Sequence, residues 1–119
     1  QRLLGYLCAP IAFAIGIPWS EALTAGSLIG QKIVLNEFLA FLDLARMPTG
    51  LLSERSRLIL TYGLCGFANL GSLGIMVGGL TAMVPERRAD IIELAPRAMV
   101  LGALATLLSG AVVAFIGAG

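Results

Sequence analysis

Glu37 is the acid that needs explaining in this chain. It stands with Gln31, Lys32 and Asn36 near the middle of an otherwise largely apolar block, Glu21 to Leu44. A charge deep in a membrane-type segment costs at least ~2.5 kcal/mol on insertion scales, so such residues face a cavity or a partner. Two chemistries are open. A carboxylate has two acceptor oxygens and suits a vicinal diol through charge-assisted hydrogen bonds. Alternatively, Glu37 forms a buried structural ion pair with Lys32, which could reach it if the helix unwinds near Gly30. Lys32 and Asn36 share a helical face at i, i+4.

A second polar anomaly lies at CGFANLGSLGIMVGG, residues 65 to 79. The surrounding block, Leu58 to Val84, carries no charge, yet it holds Asn69, Ser72 and Gly63, Gly66, Gly71, Gly74, Gly78 and Gly79. Two readings compete. The block is one glycine-rich spanning helix, with Asn69 and Ser72 gluing it to neighbours. Or it enters the membrane, turns at GFANLGS and leaves on the same side as two half-helices. Irregular backbone at membrane depth is tolerated only in protein or against a watery cavity, where half-helix termini can meet a polar ligand. The flanking Arg46, Arg55 and Arg57 balance Arg87, Arg88 and Arg97, which agrees with both ends lying on one side.

Other chemistries find no residues to carry them. The chain has no histidine, which removes Ser–His pairs and His metal ligands. Neither GxGxxG nor GxxxxGK[ST] occurs, and a net charge of +1 gives no footing to nucleic acid. Cys8 and Cys65 are too far apart for a metal or redox motif and read as buried apolar thiols. An enzyme using Glu37 as acid or base would need a second titratable group, and only Lys32 is near in sequence. No metal site and no cofactor is expected.

The elements that must position these residues are membrane helices. Of the residues, 58% are hydrophobic and 13% charged, against roughly 25% charged in soluble domains. The apolar residues come in four blocks, which points to an all-α integral membrane protein. The first block, Leu3 to Trp19, is short for a span and breaks at Gly16-Ile17-Pro18, with Ser20 as a fair N-cap for the next helix. In the second block Gly26 and Gly30 are spaced as GxxxG, permitting close helix approach or a local break. The fourth block, Ala98 to Gly119, carries the small-residue pairs Ala98/Gly102, Ala105/Ser109 and Gly110/Ala114. Pro85 to Arg97 reads as an interfacial stretch leading into it. The chain starts at Gln1 with no initiator Met and reads as the C-terminal part of something larger.

The motifs Gly30-x-Lys32-x-x-x-Asn36-Glu37-Phe38 and Cys65-Gly66-Phe67-Ala68-Asn69-x-x-Ser72-x-Gly74-Ile75 together resemble the concentrative nucleoside transporter family. Ala9 to Trp19 and the L-S-x-R before the hairpin are similar to that family too, in the right order over essentially the whole chain. Gln31 departs from it, where a small hydroxyl residue is expected. The resemblance implies half of an inverted-repeat, cation-coupled nucleoside symporter, trimeric as a full-length protein and multi-pass in the inner (plasma) membrane. It implies the end of a scaffold helix at 1–19 and the C-terminal half of a transport domain at 20–119. That half comprises a broken transmembrane helix at 21–44, a re-entrant helical hairpin at 53–84 and a terminal transmembrane helix at 88–119. Glu37 would hold ribose hydroxyls. Asn69 and Ser72 would contact the nucleoside and Phe67 would line the pocket, with Lys32 and Asn36 supporting the break. The coupling Na⁺ or H⁺ and the nucleobase would be handled mostly outside this segment. The rival function is an assembly subunit of a membrane complex, its glycines serving packing.

Overall fold

The computed structural model describes residues 2–117, which are helical with no strand. Helix α1 runs Arg2–Ala14 and carries Pro10 within it. Helix α2 is Trp19–Val34, α3 is Glu37–Arg46, α4 is Glu54–Gly63, α5 is Leu70–Met83 and α6 is Arg88–Ile116. A single 3₁₀ turn, Pro85–Arg87, leads into α6. The charged stretch around Asp90, Glu93 and Arg97 therefore forms the first turns of α6 itself. Its ion pairs, Arg87–Asp90 at 2.9 Å and Arg97–Glu93 at 3.3 Å, are exposed.

Between α1 and α2 the chain bends by 117°. Gly16 makes this possible, at φ +103°, a region that costs an L side chain. Pro18 occupies the N-cap position of α2 without a side-chain cap, so Ser20 falls inside the first turn rather than capping it. The two helices then meet backbone to backbone. A Cβ at Gly26 would stand 2.6 Å from the Gly5 oxygen, and one at Gly30 would stand 2.7 Å from Leu4 Cβ. Cys8, Ala9, Ala12, Ala22 and Ala25 fill this seam. Gly26 and Gly30 thus serve close approach, and α2 continues unbroken past Gly30 to Val34.

The base of α4 is a hydrogen-bonded junction. Ser53 Oγ accepts from Ser56 N at 3.2 Å as the N-cap, and Ser53 N donates to Glu21 Oε2 at 3.1 Å. Arg55 donates to the Gly16 carbonyl at 2.7 Å and the Ala114 carbonyl at 2.9 Å. Arg57 donates to the Leu44 carbonyl at 3.2 Å and the Met47 carbonyl at 2.9 Å, at the end of α3. Two guanidinium forks therefore satisfy carbonyls at helix ends and the turn, which favour positive charge. Ile59, Leu60 and Leu64 carry α4 into the core.

Helix α5 buries none of its residues, and a Cβ at Gly74, Gly78 or Gly79 would meet nothing within 4 Å. The run Pro85–Ile116 is long and apolar enough to cross a membrane, with mean hydropathy 2.3, and only 17% of its most apolar window is buried within the chain. So much exposed apolar surface is stable only against lipid or further protein.

Candidate functional site

Helix α2 ends where Leu35 N donates to the Gln31 carbonyl at 2.8 Å. Asn36 is extended, at φ −167° and ψ 168°, and its Oδ1 accepts from Leu39 N at 3.0 Å as the N-cap of α3. Lys32 lies in the last turn of α2 and Glu37 in the first turn of α3. Each charge thereby sits at the helix end of opposite partial charge, which offsets part of its burial cost. Among the described residues, Glu37 Oε2 is buried and has no hydrogen-bond partner.

The segment Leu64–Asn69 separates α4 from α5 and repeats the same device. Asn69 is extended, at φ −147° and ψ 165°, and its Oδ1 accepts from Ser72 N at 2.8 Å. Its Nδ2 donates to the Phe67 carbonyl at 3.1 Å, and the residue is 3% exposed. Asn69 therefore has a local job, starting α5, that reading it as a ligand or as interhelical glue does not include. The Ser72 hydroxyl has no hydrogen-bond partner among the described residues, and Phe67 is 79% exposed.

Phe67, Asn69 and Ser72 line one cavity of about 190 Å³ with Ala68, Leu73, Met76, Ala98 and Met99. Glu37 does not line it. The two breaks are neighbours all the same, since a Cβ at Gly71 would stand 3.8 Å from the Leu35 carbonyl oxygen. The N-termini of α3 and α5, each opened by an asparagine, start close to this contact.

Lys32 does not pair with Glu37. It is 1% exposed and donates to Thr106 Oγ1 on α6 at 2.8 Å. The structural ion pair is thus replaced by a link to another helix. Sequence reasoning missed Thr106, although it is the one threonine in the apolar block Ala98 to Gly119. Gly66 of the tip lies against it, and a Cβ there would collide with Thr106 Cγ2. The cysteines also differ from the sequence reading: Cys8 is buried, but Cys65 is exposed. Among the described residues no group of three His, Cys, Asp or Glu is placed to hold a metal.

The family described as "Na+ dependent nucleoside transporter C-terminus" matches residues 1–114. This chain belongs to that family. It is 49% identical over 112 residues to the Bacillus subtilis protein described as uncharacterized transporter YutK, covering 94% of this chain and 28% of that protein. It is 43% identical over 120 residues to the Helicobacter pylori nucleoside permease NupC, covering 97% of this chain and 29% of the permease. Its fold superposes on CNTnw in an inward-facing substrate-bound state with TM-score 0.90 and 45% identity, covering 100% of this chain and 29% of that one. The chain thus spans between a quarter and a third of the relatives' length. Those relatives are transporters and permeases, not enzymes.

Proposed function

We propose that this chain forms the sugar side of the substrate site in a cation-coupled nucleoside symporter. The observation that carries this reading is the buried, unpartnered Oε2 of Glu37 at the N-terminus of α3. A ribose presents two adjacent hydroxyl donors, and a carboxylate can accept both. Ser72 offers a free hydroxyl beside Asn69, and exposed Phe67 offers a ring face, at the neighbouring start of α5. Asn69 serves twice, capping α5 with Oδ1 while its amide keeps one further donor for the ligand.

In this reading α2 and α3 are one transmembrane helix interrupted at Leu35–Asn36. Helices α4 and α5, of 10 and 14 residues, are the limbs of a re-entrant hairpin. Each is shorter than the ~20 residues that a span requires. Helix α6 spans the inner (plasma) membrane. The coupling ion, Na⁺ or H⁺, binds mostly outside this segment, and the full-length protein is a trimer.

Titration calorimetry of the full-length protein tests the role of Glu37. Uridine should bind more tightly than 2′,3′-dideoxyuridine, and Glu37→Gln should flatten the difference. A charged hydrogen bond contributes roughly 1.5–3 kcal/mol, which is about tenfold to a hundredfold in affinity. Equal wild-type binding of the two nucleosides would remove Glu37 from the ribose site. Loss of assembly in Glu37→Gln, rather than of binding, would favour an assembly subunit.

A further inference from the structure

Lys32 is a fully buried cation with one hydrogen-bond partner among the described residues, Thr106 Oγ1 at 2.8 Å. Burying an ammonium is expensive, and a single neutral acceptor offsets little of that cost. The geometry of the acceptor is nevertheless specific. The Thr106 hydroxyl gives its own proton to the Ala103 carbonyl at 2.9 Å, which leaves its lone pair for Lys32. The face of α6 that receives Lys32 also supports the tip. Gly66 lies against Thr106 with no room for a Cβ, and a Cβ at Gly102, one turn earlier, would stand 3.3 Å from Ala68 Cβ. Lys32 stands in the last turn of α2 and Glu37 in the first turn of α3, on the two sides of the break.

We propose that Lys32 is a positioning residue for substrate binding: through Thr106 it sets where the tip, residues 65–69, stands relative to Glu37. The inference rests on the nucleoside reading. It assigns the lysine of the N-E-F segment to the hairpin tip rather than to the break beside it. The neutral alternative, a methionine on an apolar α6, would fill the same volume but leave the end of α2, and the break that carries Glu37, without its hydrogen bond to the face of α6 on which the tip rests.

The test is uridine affinity of the full-length protein, by calorimetry, with thermal melting alongside. Thr106→Val keeps the shape against Gly66 and removes the acceptor, whereas Thr106→Ser keeps the acceptor. Thr106→Val and Lys32→Met should each weaken uridine binding about tenfold, the scale of one charged hydrogen bond. Thr106→Ser should stay within about twofold of wild type, and the double variant should bind no worse than Lys32→Met alone, since both lose one shared contact. Wild-type affinity in Thr106→Val, an equal loss in Thr106→Ser, or losses that multiply in the double variant would overturn the proposal. If Lys32→Met does not fold, the valine and serine pair decides alone. Absence of nucleoside binding by the wild type overturns the nucleoside reading and this one with it. Uridine binding that is indifferent to Thr106→Val overturns this one only.

Discussion

Gly26 rides directly on the backbone of Gly5. A Cβ at Gly26 would stand 2.6 Å from the Gly5 carbonyl oxygen and 2.7 Å from the Ala9 nitrogen. Neither obstacle is the flexible end of a side chain, so the added methyl must push α1 and α2 apart. Gly26→Ala is expected to destabilise the protein by about 1–3 kcal/mol, the usual range for overpacking. Thermal melting of the full-length protein checks this, and an unchanged midpoint would show that the seam is looser than this contact implies.

Asn69 separates capping from binding through one substitution. Serine is as good an N-cap as asparagine, so Asn69→Ser should hold α5 within about 0.5 kcal/mol of wild type. It lacks the amide donors, so uridine should bind several-fold more weakly, in line with a neutral hydrogen bond of about 0.5–1.5 kcal/mol. Asn69→Ala should lose both properties, with about 1 kcal/mol of stability gone with the cap. Wild-type uridine affinity in Asn69→Ser would leave Asn69 as a cap alone.

Arg55 holds two parts of the chain that are distant in sequence, the Gly16 turn and the end of α6 at Ala114. Arg55→Met keeps the stem and leaves both carbonyls without their donor. A loss of about 1.5–3 kcal/mol is expected for hydrogen bonds of a charged group. Uridine affinity of the folded protein should not change, because Arg55 lies at the base of α4 and not at the tip. A variant that melts normally but binds weakly would contradict that division.

The hairpin reading has its own test. Ser56 is fully buried, so a label introduced there would report burial rather than side. Glu54 and Glu86 are exposed at the two ends of the α4–α5 segment. Cysteines introduced at those positions in a cysteine-free full-length protein should react with an impermeant maleimide from the same side of the membrane. Reaction from opposite faces would make residues 54–84 a single crossing.

The polar anomalies of this chain are visible without coordinates because their causes are local. Asn36 and Asn69 stand out as polar residues in apolar blocks, and such blocks with 13% charge overall belong in helices that avoid water. That each caps an N–H three residues ahead came only with the fold, and Ser20, the cap read from sequence, is not one. Glu37 draws notice for a related reason, as a charge inside an apolar block. The partners of those residues are another matter. Sequence spacing offered Lys32 to Glu37, but the folded chain gives it to Thr106, 74 residues away. Gly30 reads equally as a hinge or as a contact, and only the approach of Leu4 makes it a contact. Cys65 reads as a buried thiol, but it stands exposed because the tip turns there instead of continuing as helix. Hydropathy acts along one helix, so the sequence carries it openly, whereas a cap shows only once the helix start is placed. Which side chain meets which depends on how α1, α2, the tip and α6 pack, and that is decided by backbone contacts such as Gly26 on Gly5 and Gly66 on Thr106.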